Sequence, residues 1–300
     1  MVDSKMKAII FPGQGCQRQG MGKELYETNL KARDMFEKAD EILGWRISDI
    51  MFFGDELELN QTKNTQPAVY LYSTILALTQ NRIMPDIVSG HSLGEYSALA
   101  VCGALSFEDA LVLVLHRALI AQKVCENQET AMGAIVGLPD EYVLRRIDEL
   151  SSQSGESIYV ANFNGPGQIV ITGSKQGVRL ACKSFKAEGA KKAVPLSISG
   201  SFHSPYMKEA ELELEEIINS IEFSAPRCPI VQSVDCEVNT DPQRIKQNLI
   251  SHITNTVNWT RMLKTLTDFG VNEFYESGPD DTLQKIVARM RPDALVTSLA

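Results

Sequence analysis

Four residues of this chain have types and settings that suit acyl chemistry: Ser92, His203, Gln14 and Arg117. Ser92 stands between Gly90 and Gly94 in DIVSGHSLGEYSAL, after a short apolar run and before a helix-like stretch. Gly-X-Ser-X-Gly on a strand-to-helix turn is the pattern of a nucleophile elbow. The glycines are needed because a strained turn brings neighbouring backbone too close for Cβ atoms. The hydroxyl is then held at a helix N-terminus, where free N–H groups and the helix dipole stabilise an oxyanion. A simple N-capping serine is the alternative.

A serine hydroxyl needs a base, and the chain has four histidines. His91 adjoins Ser92 on the elbow and points elsewhere, and His116 lies inside an apolar helical run. His203, in GSFHSPYM, precedes a capping Ser204 and a first helical Pro205. A helix N-terminus disfavours its cation and keeps it able to accept a proton. A surface loop histidine is the competing view. The Gly13-Gln14-Gly15 turn after the first strand is not a dinucleotide loop, since Arg18 occupies the place of the third glycine. It offers instead the Gln14 N–H, to pair with that of Leu93 as an oxyanion hole. Arg117 sits in ALVLVLHRALIAQ among apolar side chains. A buried guanidinium needs an anion, either an internal Asp or Glu or a substrate carboxylate gripped by two parallel N–H donors.

These residues need a scaffold, and 300 residues suffice for one large domain with an insertion, or two domains. The net charge of −9 argues against a general nucleic-acid binder. The six cysteines contain no CxxC pair and sit among core-like residues, as reduced buried thiols rather than a disulfide frame or zinc site. The apolar runs are too short for a signal peptide or a membrane span, which suggests a soluble, cytoplasmic protein.

Periodicity places a strand at KAIIF, two helical stretches in 22–43, and a helix at about 66–81. A strand at DIVS follows, then helices at 93–101 and 106–126, the second opened by Ser106 with Asp109 three residues on. Such alternation predicts a mostly parallel sheet covered on both faces. Residues 130–137, 140–152, 158–164, 168–173, 175–188 and 191–197 read as βαββαβ, a ferredoxin-like unit. Alternation then resumes with a helix from Pro205, a strand at PIVQSV, helices near 241–251 and 259–269, and a strand at NEFYES. The expected organisation is a large α/β domain from 1–127 and 198–300, with 128–197 inserted as a small subdomain.

The segments FPGQGCQRQGMG, TQPAVY, GHSLGEYSAL, HRALIAQ, GAIVGL, GPGQIVITG, SGSFHSPYM, TVNWT and YESGP follow one another in the order seen in malonyl-CoA:acyl carrier protein transacylases. The chain resembles that family from about Lys7 to about Ala288. The resemblance implies an α/β-hydrolase-like domain carrying the ferredoxin-like insert. It implies Ser92 as nucleophile, His203 as base, Gln14 and Leu93 as oxyanion hole, and Arg117 as clamp for the malonyl carboxylate, with Gln66 and Phe202 beside the substrate. Phe202 would crowd the α-carbon and favour malonyl over methylmalonyl. No bound cofactor or metal is implied. The substrate would be malonyl-CoA, and the acceptor the phosphopantetheine thiol of an acyl carrier protein. Membranes and nucleic acid are not expected partners.

The chain departs from the family's wording at Cys16, Ala118, Thr256 and GPDDTL. His252 stands where the family has the glutamine whose carbonyl orients the catalytic histidine; a backbone role tolerates that change and a side-chain role does not. NTV and SGSFHSPYM resemble the discrete, trans-acting acyltransferases of polyketide assembly lines. A serine acyl hydrolase built on the same elbow is the alternative, against which Arg117 counts. Acidic carrier proteins call for a local basic face, and the densest one is Lys175–Lys192, where Lys183, Lys186, Lys191 and Lys192 are the candidate docking residues.

Overall fold

The run KAIIF becomes β1 (Met6–Phe11) in the structure, a computed structural model that describes residues 5–196 and 200–300. Helices α1 (Lys23–Thr28), α2 (Leu30–Leu43), α3 (Ile47–Phe53), α4 (Glu56–Leu59) and α5 (Thr62–Thr79) follow it. The elbow joins β2 (Ile87–Gly90) to α6 (Gly94–Cys102), and α7 (Phe107–Glu126) crosses behind. Next come β3 (Thr130–Val136), α8 (Asp140–Ser154), β4 (Ile158–Gly165), β5 (Gln168–Ser174), α9 (Lys175–Ala187) and β6 (Lys192–Pro195). A single 3-10 turn at Pro205–Met207 leads into α10 (Lys208–Ser220), then β7 (Ile230–Val231), β8 (Val238–Asn239) and α11 (Pro242–Ser251). The chain closes with β9 (Val257–Asn258), α12 (Trp259–Asp268), β10 (Val271–Glu276), α13 (Thr282–Met290) and β11 (Leu295–Ser298).

The larger sheet runs β11-β10-β1-β2-β7-β8 and is parallel except for the β7–β8 pair. Both its faces are covered. Ile9 and Phe11 of β1 join the main core with α2, α5, α6 and α7, while Ala8 and Ile10 face a second cluster with Trp259, Met262, Leu263 and Val287. That double burial is why β1 reads as an unbroken apolar run rather than an alternation. The smaller sheet runs β6-β3-β5-β4-β9, and its first four strands pair antiparallel in the ferredoxin-like order with α8 and α9 packed on one face. The fold is thus α/β, with a large mostly parallel sheet and a small ferredoxin-like one. β9 pairs parallel with β4, so a short segment from the C-terminal part of the chain completes the small sheet's edge.

Several expectations shift. PIVQSV contributes only Ile230 and Val231 to the ladder, because β2 ends at the elbow and leaves Gln232 and Ser233 free to bond side chains instead. Helix α5 starts at Thr62, ahead of the expected 66: Asn64 and Thr65 are buried polar residues whose side chains donate to the Glu58 and Leu59 carbonyls. The short α3 and α4, together with α13 and β11, have no counterpart in the periodicity reading. Ser106 does cap α7, accepting the Asp109 N–H at 2.9 Å. The expected strand end at 197 and the subdomain boundary at 197/198 lie outside the described residues. All six cysteines are free; Cys16, Cys102, Cys182 and Cys236 are buried, but Cys125 and Cys228 are only partly so.

Candidate active site

The elbow holds Ser92 at φ 51°, in the left-handed region that costs a non-glycine residue about 1–3 kcal/mol. The turn closes so tightly that a Cβ on Gly90 would lie 2.1 Å from the Gly94 carbonyl group, and one on Gly94 would lie 2.1 Å from the Phe11 carbonyl oxygen. Both glycines are therefore obligatory, and the fit of α6 against β1 fixes where the hydroxyl points. Ser92 Oγ lies 2.7 Å from His203 Nε2.

His203 is itself at φ 59° and 3% exposed. Its Nδ1 faces two carbonyl oxygens, of His252 at 3.2 Å and Asn255 at 3.0 Å. A carbonyl can only accept, so Nδ1 carries the proton and Nε2 presents its lone pair to the Ser92 hydroxyl. Burial, then the Arg117 charge, pushes the imidazole down to about 3. The neutrality expected from a helix N-terminus thus has desolvation as its leading cause. His252 engages His203 through its backbone, not its ring, which is the tolerant branch of the substitution noted above. His91 points away as expected, its Nε2 2.7 Å from Asn164 Oδ1. His116 is half-buried on α7.

Arg117 is 1% exposed and projects from α7 to the same point. Its Nη1 donates to Gln66 Oε1 at 2.7 Å and its Nη2 to Ser92 Oγ at 3.3 Å, while its buried Nε has no partner. Among the described residues both of its hydrogen-bond partners are neutral, and no carboxylate forms an ion pair with it. The internal acid weighed from sequence makes no ion pair with it: the charge of Glu95 raises Arg117, but burial outweighs it, leaving a desolvated cation over the Tyr96 and Phe202 rings with donors to spare. Gln66, fully buried, turns its carbonyl to Arg117 and its NH₂ to Gln14 Oε1 at 3.3 Å, tying the clamp to the opening loop.

The Gln14 and Leu93 N–H groups form no hydrogen bond within the described residues. Gly13 packs 2.7 Å, measured from a hypothetical Cβ, from the His91 carbonyl oxygen, which brings that loop onto the elbow. Cys16, in place of the family's serine, keeps the turn by donating to the Gly13 carbonyl at 3.1 Å, and Thr256, in place of a proline, donates to the Val160 carbonyl at 2.8 Å.

A cavity of about 70 Å³ lies among Ser92, His203, Arg117, Gln14, Phe202 and Asn162. A larger one of about 530 Å³, lined by Gln17, Asn60, Gln122 and Cys125, shares Gln14 and Phe202 with it and forms a vestibule. Sequence reasoning missed Asn162 and Met132, which line the inner cavity, and Asn164, which holds His91. Asn162 and Asn164 carried a signal: asparagine is depleted in strands, and two of them stand two positions apart on β4, where its pairing with β5 shifts register. Lys183, Lys186, Lys191 and Lys192 are exposed on α9, the turn after it and the start of β6, apart from this cavity's lining. Among the described residues no group of three His, Cys, Asp or Glu side chains is arranged to hold a metal ion, and no helix is long and apolar enough to cross a membrane.

Residues 8–295 match the family model described as acyl transferase domain. The chain is 40% identical over 287 residues to the malonyl CoA-acyl carrier protein transacylase of Bacillus subtilis (strain 168), covering 94% of this chain and 90% of that one. A crystal structure of an acyl carrier protein S-malonyltransferase from Vibrio cholerae superposes with a TM-score of 0.92 at 36% identity, covering 97% of this chain and 96% of that one. A malonyl-transacylase solved in complex with its type II PKS acyl-carrier protein does so at 0.91 and 34% identity, covering 98% and 94%.

Proposed function

Because the chain belongs to the malonyl-CoA:acyl carrier protein transacylase family, we propose that it transfers a malonyl group from malonyl-CoA to the phosphopantetheine thiol of an acyl carrier protein, through an ester on Ser92. The observation that carries this reading is Arg117, a buried cation that forms no ion pair among the described residues, beside a serine–histidine pair. A malonyl carboxylate supplies the missing anion through two parallel N–H···O bonds.

In the first half-reaction Ser92 Oγ attacks the thioester carbon while its proton passes to His203 Nε2. The carbonyl oxygen becomes an oxyanion between the Gln14 and Leu93 N–H groups, each donor of this kind contributing about 10²–10³ in rate. Collapse breaks the C–S bond, and the CoA thiolate takes the proton from His203. In the second half-reaction the carrier thiol gives its proton to His203 and attacks the ester carbon. The oxyanion collapses again, and the leaving Ser92 alkoxide recovers the proton. The carbonyls of His252 and Asn255 keep the imidazole in register through both halves and receive its Nδ1–H when it is charged.

A carboxylate on Arg117 has a second effect in this scheme. It removes the Arg117 donor from Ser92 Oγ and cancels the charge that opposes protonation of His203. Malonyl groups therefore activate the pair that they acylate. A simple acyl hydrolase has no use for that cation. The exposed lysines of α9 and β6 are the surface we assign to an acidic carrier.

Mass spectrometry after mixing with malonyl-CoA tests the reading: Ser92 gains one malonyl ester, Ser92→Ala gains none, and addition of a holo carrier protein discharges the ester onto its pantetheine thiol. Release of free malonate in water at the same rate as transfer would make the protein a hydrolase.

A further inference from the structure

Glu95, three positions after Ser92 on the first turn of α6, is fully buried and turns away from its own helix. Its Oε1 accepts from Gln232 Nε2 at 3.1 Å and its Oε2 from the Ser233 N–H at 3.0 Å. Gln232 is held in turn, donating to the Ile245 carbonyl at 3.1 Å and accepting from Asn248 at 3.1 Å. The carboxylate is thus fixed on a rigid frame where β7 leaves the sheet.

His252 is also fully buried, and neither of its ring nitrogens has a hydrogen-bond partner. Its Nε2 lies 3.7 Å from Glu95 Oε2. Its ring stands edge-on to His203, with centroids 5.4 Å apart, and to Tyr96 at 6.1 Å. An imidazole carries at least one N–H, and a buried donor without an acceptor is costly; the Glu95 oxygen at 3.7 Å is within ion-pair reach of Nε2, though beyond hydrogen-bond distance. The carbonyl of the same residue accepts from His203 Nδ1.

From this arrangement we propose that Glu95, acting through His252, is a positioning residue for His203: it locks the carbonyl that orients the base and supplies the negative charge that stabilises the imidazolium when Ser92 gives up its proton. The inference rests on the acyl-transfer reading above.

The charges around the pair support it. Burial is the first cause opposing protonation of both histidines; Arg117 from α7 and His91 from the elbow add to it, and the His203 ring opposes a charge on His252, while Arg117 in turn feels the charge of Glu95. Asp235, paired with Arg244, lies beyond Glu95. Glu95 is the acidic group brought up to the ring behind the base. A malonyl carboxylate that neutralises Arg117 removes the second of the causes that oppose the His203 cation, after burial. Burial raises Glu95 to about 7, against the pull of its Ser233 and Gln232 donors, so its charge is present in the upper part of the working range and lost below it.

The test is the rate of Ser92 malonylation, followed by quench-flow and mass spectrometry from about pH 5 to about pH 9. In the parent protein the acylation rate falls as pH drops through about 7. In Glu95→Gln the rate is lowered roughly 10- to 100-fold, the equivalent of one to two pKa units at the base, and that acid limb is gone. KM for malonyl-CoA stays within about twofold, because Glu95 touches no substrate. His252→Leu reproduces the loss with Glu95 in place, and His252→Gln, which still donates toward Glu95, recovers at least about tenfold of it. Parent-like rate and acid limb in Glu95→Gln overturn the proposal, as does a His252→Leu variant that matches His252→Gln. Failure of the parent protein to label at Ser92 would instead overturn the transfer reading itself.

Discussion

Arg117 and Arg146 are two sheltered arginines of one chain, and they have opposite surroundings. Arg146, on α8 beside the small sheet, donates to Glu188 Oε1 at 2.8 Å, to Glu149 Oε2 at 2.7 Å and to Ser184. Those partners raise it, while burial with no acid in contact lowers Arg117. A guanidinium whose charge is already matched holds two helices together. One left unmatched beside a nucleophile is a binding site for an anion that arrives from outside. The carboxylate partners, not depth of burial alone, separate the structural cation from the functional one.

The largest effect that sharpens this contrast is at Arg117. Arg117→Ala is expected to lose about 3–5 kcal/mol of transition-state stabilisation toward malonyl-CoA, roughly 10²–10⁴ in kcat/KM, and to keep or gain reactivity toward acetyl-CoA. Equal losses toward both donors would make Arg117 structural like Arg146.

Next comes acyl selectivity. Phe202 is 5% exposed, lines the inner cavity and packs against Arg117. One methyl group against such a ring is worth about 1–3 kcal/mol, so the parent should prefer malonyl to methylmalonyl by about 10- to 200-fold, and Phe202→Ala should narrow the gap. Comparable kcat/KM for both donors in the parent would remove Phe202 from the selectivity.

The two regions should also separate by pH. His203 is held near 3 in the fold against 6.5 when exposed, so its contribution is intact above 6.5 and is lost as pH falls from there toward 3. Between about pH 7 and about pH 5 the parent should lose about 2 kcal/mol of stability relative to His203→Gln, read from urea midpoints. Glu188, held near 2 chiefly by Arg146, loses its contribution only as pH falls from about 4.5 toward 2. Parallel curves for the parent and His203→Gln above pH 5 would contradict the buried neutral imidazole.

Smaller still is the carrier surface. Charge reversal of Lys183, Lys186, Lys191 and Lys192 to Glu should raise KM for the carrier several-fold, with Ser92 acylation unchanged and the defect shrinking in high salt. An unchanged carrier KM moves the docking surface elsewhere. The smallest effect is Arg146→Ala, whose partly exposed ion pairs contribute about 1 kcal/mol, a shift of a few degrees in Tm with transfer intact.

Much of this was legible before folding because it is local. The tight turn that demands Gly90 and Gly94, the Ser106 cap, the double-faced burial of KAIIF and the strand–helix order around the small sheet are all written within windows of a few to about 20 residues. Short α3 and α4 escaped because one or two turns carry too little periodicity. The suspicion attached to Arg117 was likewise local, a charge in an apolar helix. Its resolution was not: that, among the described residues, its hydrogen bonds go to neutral groups rather than to an acid depends on Gln66, 51 positions away, and Ser92, 25 away.

The sequence by itself determined which side chains were available and which turns were strained, since sterics and hydrophobic periodicity act between near neighbours. Only the tertiary structure decided that Ser92 and His203, 111 positions apart, meet at 2.7 Å, that His252 serves by its carbonyl, and that Glu95 waits behind its ring. Those relations belong to the packing of α6, α7 and the loop before β9 against one another, and such contacts have no signature along a single chain.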